Sequence, residues 1–101
     1  MEKKSIMLDK ETQSNLTPVQ VYDRLQEGNQ RYVNSQLTDV SLDHLRADST
    51  KGQFPQAIVL SCIDSRVVVE QVFDQALGDI FVARVAGNFV NTDIVASMEY
   101  A

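Results

Sequence analysis

The chain has 101 residues, which suits one small domain. With 14 acidic against 9 basic residues and a net charge of −5, it offers no basic face for nucleic acid and would be repelled by an anionic membrane. Its one cysteine, Cys62, excludes an internal disulfide framework and fits a reducing, cytoplasmic setting. Met1–Lys10 has no apolar run long enough for a signal segment, and no stretch approaches the ~20 apolar residues of a membrane span.

Residues 1–16 are polar and of mixed charge, and read as a flexible arm able to dock on a partner chain. Thr17-Pro18-Val19-Gln20 is a helix start: Thr17 suits the N-cap, Pro18 the first turn, and Gln20 closes a capping box. Val21, Tyr22, Leu25 and Tyr32 follow at helical spacing, so this helix should run to about Asn34. Gly28 inside it weakens the helix relative to Ala, which points to something packed closely there. Ser41 can cap a second, short helix through Arg46, with Asp43 in its first turn. The lone His44 falls on this helix and reads as a surface residue. Residues 48–55 are loop-like and end in Pro55.

Ala57-Ile58-Val59-Leu60 is a continuous apolar run, the pattern of a strand buried on both faces. Val67–Ala76 reads as a helix despite three consecutive valines, which disfavour it. After a Gly78-Asp79 turn, Ile80–Ala83 is a second strand. Ala86-Gly87-Asn88 is a turn in which Gly87 supplies a positive φ. Asn91-Thr92-Asp93 caps a last helix through Ile94, Val95 and Met98. The expected class is α/β: a parallel βαβ core with a right-handed crossover, behind amino-terminal helices. Two strands make a poor sheet alone, and no Gly or Pro stops the last helix, so residues 17–101 read as a partial, truncated domain.

The chemistry-bearing stretch is Ser61-Cys62-Ile63-Asp64-Ser65-Arg66, directly after the first strand, where ligand sites of open α/β sheets lie. A cysteine thiolate binds zinc readily, and Asp64 is close enough in sequence to share its centre. Arg66 can hold a carboxylate with two parallel hydrogen bonds. The residues alone leave a plainer reading open: a small buried cysteine beside a helix-capping ion pair. The interval between Cys62 and Arg66 is too short for a cysteine-phosphatase loop, and no glycine-rich phosphate loop is present.

Cys62-x-Asp64-Ser65-Arg66 resembles the signature of β-class carbonic anhydrases, and so does the rest of Ala57–Ala101, including Gly78–Val82 and Arg84–Asn88. The resemblance implies the sheet of that family and a zinc enzyme that interconverts carbon dioxide and bicarbonate. It implies Cys62 as the first zinc ligand. Asp64 would be a switch carboxylate, paired with Arg66 in an open state and bound to the metal in a closed one. It implies Gln53 as a polar pocket residue, Phe81 as an aromatic wall, and Ala86 and Gly87 as small residues near the carbon dioxide site. Part of the pocket would come from a neighbouring subunit of a homo-dimer or larger oligomer, so Gln53 and Phe81 could serve a partner's zinc. Val59 stands where a subtype with an inhibitory bicarbonate site has Trp, which argues against that control. The family completes its zinc site with a later His and Cys that these residues lack, so the 101-residue chain is expected to be inactive alone. The same scaffold also fits a carbonyl sulfide or carbon disulfide hydrolase, and a fragment lacking ligands could serve only as an oligomerisation module.

Overall fold

The structure, a computed structural model, describes residues 7–101. In chain order it comprises helices α1 (Lys10–Asn15), α2 (Pro18–Val33) and α3 (Leu42–Ser49), strand β1 (Ile58–Ser61), helix α4 (Val69–Val72), strand β2 (Phe81–Arg84) and helix α5 (Thr92–Tyr100). The two strands pair in parallel, with Ile58 opposite Phe81 and Ser61 opposite Arg84. Backbone bonds continue the pairing at both ends: Phe81 N–H donates to Ala57 and Val85 N–H donates to Ser61.

The helix starts are set by local hydrogen bonds. Thr17 accepts from the Gln20 N–H while the Gln20 side chain accepts from the Thr17 N–H, a complete capping box. Ser41 accepts from the His44 N–H, and Asn91 accepts from the Ile94 N–H.

Three expectations change. The first concerns the arm. Its residues 1–6 lie outside the described residues, but the remainder packs on the chain itself. Asp9 caps α1 through the Thr12 N–H, Leu8 is buried, and Gln13 donates to the Pro55 carbonyl at 2.7 Å. Asp79, almost fully buried, accepts from the Leu8 N–H at 2.9 Å and from the Ala76 N–H at 3.1 Å. The turn before β2 therefore anchors the segment that leads into α1.

The second concerns the helix expected over Val67–Ala76, of which only Val69–Val72 is helical. The β-branched run delays its start, as its propensity suggested. Its end is set from outside. Asn29 of α2 donates to the Val72 carbonyl, and Asp74 takes a left-handed conformation at φ 48°. There its carboxylate accepts from Arg31 Nε and from the backbone and hydroxyl of Thr38. The third concerns the strands. All four β1 residues are half-buried rather than fully enclosed, because the sheet of the described residues has only two strands.

Among the described residues the fully buried apolar core is thin and consists of Leu8, Leu45 of α3, Val69 of α4, Ile80 just before β2 and Ile94 of α5. The close packing anticipated at Gly28 is present. Gly28 is buried in α2 against the backbone of Phe73. Among the described residues, no helix is long and apolar enough to cross a membrane.

Candidate functional site at the carboxyl end of the first strand

Strand β1 ends at Ser61, and the chain then turns through Cys62–Val68 before α4. Parallel pairing puts the end of β2 and the following turn, Val85–Asn88, beside this loop. Cys62 is half-buried, and its sulfur accepts a hydrogen bond from the Gly87 N–H at 3.3 Å. Gly87 sits at φ 82°, the left-handed conformation that glycine adopts without strain. That N–H, with the backbone N–H groups of Asp64 and Ile63, holds the Cys62 thiol below its ordinary pKa; the nearby Asp64 charge and partial burial oppose the shift without reversing it. The arrangement favours a thiolate, the form that binds metal.

Asp64 and Arg66 form a fork. Arg66 Nη2 donates to Asp64 Oδ2 at 2.6 Å, Arg66 Nε to Oδ1 at 3.0 Å, and the Arg66 backbone N–H to Oδ1 at 2.9 Å. These bonds, aided by the charge of Arg84, pull the Asp64 carboxyl down to about 2. Asp64 is therefore ionised at neutral pH and oriented by a neighbour two residues away. The Arg66 side chain is 86% exposed and the Asp64 side chain 30%.

The other residues implied by the resemblance separate into two groups. Ala86 and Gly87 lie in the turn beside Cys62, and both are exposed. Gln53 and Phe81 do not join them. Gln53 precedes β1 and lines a shallow depression with Met7, Leu77 and Gly78. Phe81 opens β2 opposite Ile58 and lines an apolar groove with Ala96 and Tyr100 of α5. Within one chain, these two residues lie at the amino ends of the strands and Cys62 lies at the carboxyl end. His44 is exposed on α3.

One residue at this site carries no role from the sequence. Arg84, the last residue of β2, donates through Nε to the Cys62 carbonyl at 2.8 Å, through Nη2 to the Asp64 carbonyl at 2.6 Å and through Nη1 to the Val67 carbonyl at 3.0 Å. A basic residue directly after the apolar run Ile80–Ala83 was the available signal. It becomes informative only once parallel register sets it opposite Ser61.

The zinc implied by the resemblance can be tested against these side chains. Among the described residues, no group of three or more His, Cys, Asp or Glu side chains is placed to hold a metal. Cys62 offers one sulfur with Asp64 nearby, short of the three or four protein ligands that zinc takes. These residues by themselves do not complete a zinc site.

Comparison with known proteins agrees with this stretch. Residues 57–101 match the family profile of carbonic anhydrase. The chain is 45% identical over 89 residues to carbonic anhydrase 2 of Mycobacterium tuberculosis, covering 86% of this chain and 42% of the relative. It is 43% identical over 88 residues to a carbonic anhydrase of Mycolicibacterium smegmatis, covering 86% of this chain and 43% of that protein. The chain thus spans less than half the length of the relatives it matches. On these matches and on the Cys62–Arg66 loop that lies within them, the chain is similar to the amino-terminal part of β-class carbonic anhydrases.

Proposed function

We propose that the protein containing this sequence catalyses the reversible hydration of carbon dioxide to bicarbonate, and that these 101 residues contribute part of its site. The observation that carries the reading is the loop after β1. There a thiol held towards its thiolate form by the Gly87 N–H lies two residues from a carboxylate kept ionised by Arg66. In this reading Cys62 is one zinc ligand, and the remaining ligands lie outside the 101 residues. Asp64 supplies a fixed negative charge and acceptor beside the metal position, and Arg66 keeps it aimed. Ala86 and Gly87 leave room beside the sulfur for a small apolar substrate. Gln53 and Phe81, remote from Cys62 in one chain, would act at the site of a second copy in a homo-dimer or larger oligomer.

The test has two parts. Elemental analysis of the reduced 101-residue chain should find zinc near zero, and its carbon dioxide hydration should not exceed the buffer rate. The full-length protein should carry zinc and hydrate carbon dioxide in a stopped-flow indicator assay. Cys62→Ser should lose most of both. A full-length protein that keeps full zinc occupancy with Cys62→Ser contradicts the ligand assignment. A zinc-loaded wild type without hydration activity contradicts the proposed reaction.

A further inference from the structure

Arg84 makes three hydrogen bonds to one loop. The accepting carbonyls belong to Cys62, Asp64 and Val67, which lie 22, 20 and 17 residues before it. Two of these residues bear the thiol and the carboxylate described above; the third closes the loop's own turn, in which the Val67 N–H donates to the Asp64 carbonyl at 3.3 Å. The Asp64–Arg66 fork cannot hold the loop in place by itself. It joins residues two apart within the loop, so it restrains the carboxylate without tying the loop to the sheet. Arg84 makes that tie. Its backbone is set opposite Ser61 by strand pairing, and the adjoining Val85 N–H donates to the Ser61 carbonyl at 3.0 Å. A guanidinium is planar and presents its donors in a rigid fork, so three acceptors around its edge fix both position and orientation; an ammonium is a point donor on a flexible stem.

We propose that Arg84 is a positioning residue that clamps the Cys62–Val67 loop to the end of β2 and thereby sets the separation of the Cys62 thiol and the Asp64 carboxylate. The clamp itself stands on geometry; its importance for catalysis rests on the function proposed above.

Amide hydrogen exchange, resolved by residue, tests the clamp on the full-length protein and its Arg84→Met and Arg84→Lys variants. The reporters are the Arg66, Val67 and Gly87 amides, which bond to Asp64 Oδ1, the Asp64 carbonyl and the Cys62 sulfur. The controls are the Phe81 amide in the sheet and the Leu45 amide in α3. Arg84→Met should speed exchange of the reporters by about tenfold or more, the order expected for lost charge-assisted bonds, with the controls unchanged. Arg84→Lys should fall between the two. Equal acceleration of reporters and controls, or loss of the fold in both variants, would make Arg84 a general stability residue and overturn the proposal. Unchanged reporters would overturn it as well. In the full-length protein, Arg84→Met should lower kcat for carbon dioxide hydration with KM little changed. A selective exchange pattern alongside an inactive wild type keeps the clamp and removes the reaction, so the two failures are distinguishable.

Discussion

A methyl group built on Gly28 would lie 1.7 Å from the carbonyl oxygen of Phe73, well inside any tolerable contact. Helix α2 thus meets the segment after α4 backbone to backbone, and Gly28 is the residue that permits it. Two effects oppose each other in Gly28→Ala. Alanine raises helix propensity by about 1 kcal/mol, yet the methyl meets a backbone atom that cannot rotate away. The clash should win, with a net loss of about 1–3 kcal/mol, typical of overpacking. Urea denaturation followed by circular dichroism checks this, and a stabilised variant would contradict it.

Asp74 ties α2 and the Thr38 segment to the end of α4. Burial raises its carboxyl pKa, but hydrogen bonds from Thr38 and Arg31 outweigh burial and hold it below the ordinary carboxylate value. Asp74→Asn keeps the shape and tolerates the left-handed backbone at φ 48°. It removes the charge and turns one acceptor into a donor facing Arg31 and Thr38. A loss of about 1–3 kcal/mol is expected by denaturant titration. A change near zero would mean that the cluster adds nothing net.

Asp64 gives a pH signature. Its carboxyl titrates at about 2 in the folded chain, against ~3.9 for an unperturbed aspartate. The folded value is the lower one, so the contribution to stability is present above ~3.9 and is lost as pH falls through about 2. Carbon-detected NMR of the side-chain carboxyl should show the depressed midpoint in the wild type and a value close to the ordinary one in Arg66→Ala. An unmoved midpoint in that variant would show that the Arg66 side chain is not the main cause.

The capping box at the start of α2 is local and exposed, so its contribution should be modest and separable. Thr17→Ala removes the acceptor for the Gln20 N–H and should cost about 1 kcal/mol. Thr17→Ser, which retains the oxygen, should recover most of it. The two variants compared by thermal unfolding check the assignment; equal losses would locate the effect in the threonine methyl group instead.

Much of this protein was legible from residue types alone, and the reason is range. The caps Thr17, Ser41 and Asn91 each bond to a backbone N–H three residues on, so the sequence itself contains both partners. The apolar runs at Ala57–Leu60 and Ile80–Ala83 lie within one residue of strands β1 and β2, since continuous apolar stretches have few alternatives to a sheet. The Asp64–Arg66 fork spans two residues and was visible for the same cause.

Tertiary structure alone decided the rest. Only folding showed that α4 would stop at Val72, because its end is held by Asn29, Arg31 and Thr38, each well over thirty residues away in the chain. Only folding brought Leu8 to Asp79, and Gly28 to Phe73. It also separated Gln53 and Phe81 from Cys62, because residues at opposite ends of parallel strands cannot meet within one chain. The three bonds of Arg84 depend on strand register, which is set by pairing and packing across the sheet and not by the residues around Arg84.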